Sequence, residues 1–235
     1  MSTSIISLFY SIFLLFNSNC LIDNHDSTEF FKNFYIKPCR EIKPDFNDEK
    51  IMEMEKLFGV NKSIIPRFKL QTLIALSFYP ELKNMKIEFR YKEISTTMQC
   101  QPTISSILKK NKHEYIISIN NNKNFKGVLI DEVPFNAQIG LIGHEIAHIV
   151  DFEEDNKRNL LNRAFDYLKE KTKKEYESYV DLLTIKTGLG WQLYDWAFFS
   201  LNNSKSTAKY KAFKSKIYMT PELISSTIDL MEIYN

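Results

Sequence analysis

The chain has 235 residues, 44% of them hydrophobic and 26% charged, a balance that supports one domain with a substantial core and excludes disorder on a large scale. Its 31 basic and 29 acidic residues are mixed along the chain and leave a formal net charge of +2, so no broad field points to nucleic acid as a partner. Three cysteines, Cys20, Cys39 and Cys100, are too few and too scattered for a zinc knuckle or a CxxC redox pair.

The N-terminus opens with an apolar run, IISLFYSIFLLF (Ile5 to Phe16), followed by the polar, turn-prone NSN. Twelve apolar residues match the core of a signal peptide and fall short of a membrane-spanning helix. The lack of any charge through Ile22 argues against a buried helix of a soluble protein. We therefore expect residues 1–19 to be a signal peptide and residues 20–235 to be a single exported domain, periplasmic, envelope-associated or extracellular. Cys20 adds a lipoprotein alternative and with it a route to membrane association, although no Lys or Arg precedes the run and Asn17-Ser18-Asn19 matches a lipobox poorly. If Cys20 is removed or lipidated, Cys39 and Cys100 remain, either as a disulfide closing a long loop or as two separate buried thiols.

Beyond this the pattern is helices, a few strands, then helices to the end. DEKIMEMEKLFGV (48–60) and IPRFKLQTLIALSFY (65–79) carry apolar residues at helical spacing, the second with Pro66 in its first turn. MKIEFRYKE (85–93) alternates Ile87, Phe89 and Tyr91 with charged residues and predicts a strand. EYIISIN (114–120), β-branched and aromatic, predicts another, and NNNKNFKG (120–127) a polar loop. Asn136 suits the N-cap of a helix from about Ala137 to Asp151. An amphipathic helix is expected over 157–171, then one from about Lys174 to Lys186 that stops at Thr187-Gly188. The aromatic-rich GWQLYDWAFFSL (190–201) reads as core. The basic run KYKAFKSK (209–216) reads as a solvated helix face, and Thr220-Pro221-Glu222 opens a last helix running to the C-terminus.

The chemistry is concentrated in LIGHEIAHIVDFEED (141–155). His144 and His148 stand one helical turn apart, so both imidazoles leave the same face and can reach one ion. Glu145 leaves the helix about 100° away from His144, which suits a base acting on water rather than a ligand. A hydrolytic zinc needs a third protein ligand and an open position. His25 and His113, the only other histidines, lie upstream, and no third histidine follows closely. EYESYVDLL supplies Glu177 and Asp181, also one turn apart: Glu177 as the third ligand, Asp181 to hold the far nitrogen of a zinc histidine. Glu175 competes with Glu177; Glu153 and Glu154 are too near His148 to fold back.

HExxH followed by ExxxD on a later helix resembles the gluzincin zinc metallopeptidases, of which thermolysin is a familiar member. The likeness covers residues 136–187 and rests on five of them, with a longer gap between His148 and Glu177 that marks a distant branch. It implies an α+β, zincin-like fold with a small mixed sheet, one zinc ion on His144, His148 and Glu177, Glu145 as general base, and Asp181 behind His144. It implies a peptide or protein substrate laid beside an edge strand, for which 114–120 is the candidate. It also implies a group facing the oxyanion, with Tyr176, Tyr179 and Tyr194 as candidates. The alternative is a zincin-fold envelope or interaction protein that binds zinc without turnover. Gly140 and Gly143, each costing about 1 kcal/mol in a helix relative to Ala, imply that something passes close: a strand or substrate backbone, or a tightly packed helix.

Overall fold

A computed structural model of the chain describes residues 37–108, 113–154 and 170–235. The expected signal segment with Cys20, His25 and nearly all of the helix expected over 157–171 lie outside the described residues. The architecture is α+β, with a four-stranded mixed sheet and helices making up most of the remainder. No described helix is long and apolar enough to cross a membrane.

Helix α1 (Asp48–Phe58) begins where the Asn47 side chain accepts the Lys50 N–H, has Asp48 and Glu49 in its first turn and Lys56 in its last, and buries Met54, Leu57 and Phe58. A 3-10 turn led by Pro66 feeds α2 (Lys69–Ser77), which buries Leu73, Ile74, Ala75 and Leu76.

The strands are β1 (Lys62–Ser63), β2 (Lys86–Tyr91), β3 (Met98–Pro102) and β4 (Glu114–Ile119), in spatial order β1-β2-β4-β3. The first three in that order run parallel, and β3 pairs antiparallel to β4. Ile87 and Phe89 face the core as the alternation predicts, but Tyr91, at the strand end, is 42% exposed. The edge strand beside the helices is β3, and 114–120 is interior, which corrects the expected substrate edge. Between β1 and the turn before β2, the Lys62 ammonium donates to the carbonyls of Val60, Leu82, Lys83 and Met85 at 2.7–3.1 Å. Those bonds give the loop's carbonyls a charged donor, in addition to the Met85 N–H that the Leu82 carbonyl accepts at 3.0 Å.

After a short α3 (Ile104–Leu108), the long α4 (Phe135–Glu154) runs through the middle of the domain between α2, β3 and the later helices. Asn136 is already inside it. Instead of capping the helix, the Asn136 side chain accepts the Ile42 N–H at 2.9 Å and donates to the Ile42 carbonyl at 3.0 Å, tying the upstream segment down. Then come α5 (Glu170–Thr184), a π turn at Ile185–Leu189, α6 (Gly190–Phe198), α7 (Ala208–Ile217) and α8 (Pro221–Ile228). Gly188 sits at φ 109, a left-handed conformation that spares the chain a Cβ and turns α5 into α6. Tyr234 braces that bend: its hydroxyl donates to the Ile185 carbonyl and accepts the Gly190 N–H, both at 2.6 Å. Thr220 caps α8 as its sequence predicts, but the helix stops at Ile228 and the chain ends in a 3-10 turn, short of the expected run to the C-terminus.

Candidate metal centre

Helix α4 buries almost every residue from Ala137 to Ile149, and its two histidines point toward α5. His144, His148 and Glu177 are 4%, 8% and 1% exposed, and one donor atom from each lies within 4.8 Å of the other two. Glu177 Oε2 stands 3.2 Å from His144 Nε2 and 3.7 Å from His148 Nε2. A tetrahedral ion with bonds of about 2.1 Å places neighbouring donors roughly 3.4 Å apart. The observed spacings bracket that value, so the donor set fits a small divalent ion. Among the described residues this is the one His/Cys/Asp/Glu group with such convergence.

The outer nitrogens are held from behind. His144 Nδ1 lies 2.8 Å from Asp181 Oδ1, while Asp181 Oδ2 accepts the Met219 N–H at 2.9 Å. His148 Nδ1 lies 3.1 Å from the Tyr176 hydroxyl, which bonds in turn to the buried Asp151 carboxylate. Each imidazole is thereby oriented with Nε2 toward the centre, one by a carboxylate and the other by a carboxylate acting through a phenol. Phe152 stacks on the outer face of His148 at 6.2 Å between ring centres.

Glu145 is 6% exposed and accepts the backbone N–H of Cys100 on the free side of β3. Burial raises its carboxyl to about 7, with His144 pulling the other way and Glu177 adding to the rise. Burial would push His144 down, but hydrogen bonds and charge from Asp181 and Glu177 outweigh it and lift the ring to about 10. Burial takes His148 down to about 4. Cys100, beside Glu145, is pushed well up by burial and stays a thiol; both Cys39 and Cys100 are unbridged.

The expected five residues are thus brought together. The three tyrosine candidates lie in different surroundings. Tyr176 stands behind His148, bonded to its Nδ1 and to Asp151. Tyr194 stacks on Phe198 and lies under the Arg40 guanidinium, and neither it nor Tyr179 lines the cavity beside Glu145. That cavity is walled by His144, Glu145, Thr97, Tyr210, Lys214 and Tyr218, among others, and the Tyr218 ring lies 5.7 Å from that of His144. Glu175 is exposed, and Glu153 binds the His113 ring and the Tyr115 hydroxyl, so neither competes for the ion. Sequence reasoning missed Asp151, Tyr218 and Lys214. Asp151 carried a signal, standing one turn before the acidic end of α4; the other two carried none before α7 was placed.

The two glycines answer to helix packing. A Cβ on Gly140 would meet the Gln192 carbonyl oxygen of α6 at 2.1 Å, and one on Gly143 would meet the Leu189 side chain at 2.5 Å. Comparison with family models finds no match for this chain, and neither curated proteins nor solved structures provide one.

Proposed function

We propose that the protein is a zinc-dependent metallopeptidase with a zincin-like fold. The observation that carries this is the convergence of three buried donors, two imidazoles and one carboxylate, at tetrahedral spacing, with a buried glutamate adjoining them that is not part of the ligand set. A set of two histidines and a glutamate leaves one position open, as hydrolytic zinc sites do and closed structural sites do not. Zinc held there supplies Lewis acidity and lowers the pKa of water at the open position.

The chain's own groups do the rest. Glu145, buried beside the ligands and outside the ligand set, suits a group that takes a proton from the attacking water and returns it to the leaving amine. Asp181 and the Tyr176–Asp151 pair keep the imidazoles in the ligating orientation. Tyr218, on the cavity wall beside His144, is the phenol we assign to the negative charge developing on the substrate carbonyl, in place of the three tyrosines expected from the sequence. Export to the envelope or beyond rests on the apolar run Ile5 to Phe16 alone, and sequencing the N-terminus of the mature protein tests it.

The test of the peptidase reading is zinc content and peptide hydrolysis in wild type and Glu145→Gln. Full zinc with activity lost supports it. Activity unchanged in Glu145→Gln removes it, and zinc bound without hydrolysis in the wild type on a broad peptide pool favours the binding-only alternative.

A further inference from the structure

One lysine of the basic run turns inward. Lys214, on α7, is only 9% exposed; its ammonium lies 3.2 Å from the centre of the Tyr218 ring and 5.2 Å from that of Trp196. Among the described residues it makes no hydrogen bond and no ion pair. Asp181, Glu177 and Glu145 act on it through space, opposed by Lys173, but none of the three carboxylates is in contact with it. An ammonium carries three donors, and holding them inside a protein without acceptors is costly. Two aromatic faces offset only part of that cost.

Lys214 forms part of the wall of the cavity that Glu145 and His144 also line. A lysine whose whole task was to balance the site's acids would be drawn into contact with one of them, as Asp181 is with His144 at 2.8 Å. Lys214 instead makes no ion pair with any of the three and lines the cavity beside Glu145. Around it are hydroxyl groups, with Thr97 Oγ1 and Tyr210 Oη bonded to each other at 2.9 Å. The cavity volume is about 50 Å³. At roughly 10–15 Å³ for each water-sized group, it has room for a group of about three to five heavy atoms.

We propose that this cavity is a subsite for a carboxylate of the substrate, with Lys214 as its counter-charge. The inference rests on the peptidase reading and gives it a substrate class: peptides bearing a carboxylate close to the scissile bond. Either an Asp or Glu side chain or a free C-terminus has the required chemistry, and the two are separable by experiment.

Two measurements test it. First, the full metal-free protein is titrated with succinate and with succinamide and followed by NMR. Saturable binding of succinate at least tenfold tighter than succinamide is expected, lost in Lys214→Met and recovered in part in Lys214→Arg. Equal binding of the two compounds, no saturable binding, or unchanged binding in a folded Lys214→Met protein overturns the proposal. If Lys214→Met does not fold, the peptide preference of the zinc-loaded enzyme decides, where His144 is taken up by the ion. Second, the zinc-loaded enzyme is assayed on matched peptides: Glu against Gln beside the scissile bond with an amidated C-terminus, and free against amidated C-terminus with neutral neighbours. A tenfold or larger preference in kcat/KM, mainly through KM and confined to one pair, upholds the subsite and identifies the source of the carboxylate. Cleavage without preference overturns the subsite and leaves the peptidase reading standing. Succinate selectivity that depends on Lys214, with no peptide cleaved, upholds the subsite and removes the peptidase reading.

Discussion

Replacing Asp181 with Asn keeps the shape of the side chain and removes one acceptor. Both carboxylate oxygens are in use, Oδ1 at 2.8 Å from His144 Nδ1 and Oδ2 accepting the Met219 N–H at 2.9 Å, and the residue is 2% exposed. An amide has one acceptor oxygen and one donor nitrogen, so it can serve only one of these partners. If its oxygen serves Met219, its NH2 faces Nδ1 of His144, which must then accept; the proton moves to Nε2, the nitrogen needed for the metal. If its oxygen serves His144, two buried donors confront each other at Met219, which costs about 1–3 kcal/mol. Losing the group behind a metal histidine typically lowers metal affinity 10–100-fold, roughly 1.4–2.7 kcal/mol. Removing the carboxylate also lets His144 fall from about 10, easing proton competition at pH 7, so the measured loss understates the effect. Zinc affinity by competition against a chelator of known strength, together with thermal melting of the metal-free protein, checks both arms. An Asp181→Asn protein that binds zinc within twofold of wild type and melts at the same temperature refutes the reasoning.

Gly140→Ala gains about 1 kcal/mol of helix propensity but drives a methyl into the Gln192 backbone, which cannot swing aside as a side chain does. A net loss of about 2 kcal/mol, or a fall of roughly 5 °C in melting temperature, is expected from calorimetry. Tyr176→Phe removes the hydroxyl between His148 Nδ1 and Asp151. Zinc affinity should fall about tenfold with the circular dichroism spectrum unchanged, and a spectrum that changes as well indicates a role in folding instead. Glu145 is raised by burial from the usual carboxylate range to about 7, so its folded state favours the protonated form; the stability it contributes is present in acid and is lost as the pH rises through 7. In chelator, wild type should therefore lose melting temperature between pH 5 and 8 by several degrees more than Glu145→Gln, and parallel profiles contradict the assignment.

The parts legible in the sequence are those set by contacts within one helix. His144 and His148 share a face because of a spacing, and so do Glu177 and Asp181; the cap at Thr220 acts on its own helix's first turn. The parts that misread are those set by distant chain. Asn136 has the composition of a cap, yet its amide is taken by Ile42, 94 residues away. MQCQP is five residues long with no β-branched or aromatic residue and a proline at its end, and β3 forms where β4 offers it a partner; with β3 in place, 114–120 ceases to be an edge. Lys214 belongs by composition to a solvated run, and only the seating of α7 against Trp196 turns it inward. Likewise, a hydroxyl's surroundings depend on which side of the imidazoles it reaches: Tyr176 lies behind His148, while Tyr218, which the sequence did not single out, lines the cavity beside His144.

Why Glu177 arrives at His144 follows from the same packing. Helices α5 and α6 are two segments of one arm, bent at Gly188 and braced there by Tyr234. The arm meets α4 twice: α5 brings Glu177 and Asp181 to His144, and α6 lays the Gln192 backbone over Gly140, one turn earlier on α4. Leu189, at the bend, fills the space over Gly143 between the two contacts. The third ligand is therefore positioned not by its own helix alone but by how closely the far half of the arm can approach. A methyl at Gly140 pushes α6 outward, and the braced bend passes that displacement toward α5. Gly140→Ala should then weaken zinc binding as well as lower the melting temperature, although residue 140 touches no ligand. A variant that loses stability but binds zinc with wild-type affinity shows that the bend yields, and that α5 holds Glu177 in place without the crossing at Gly140.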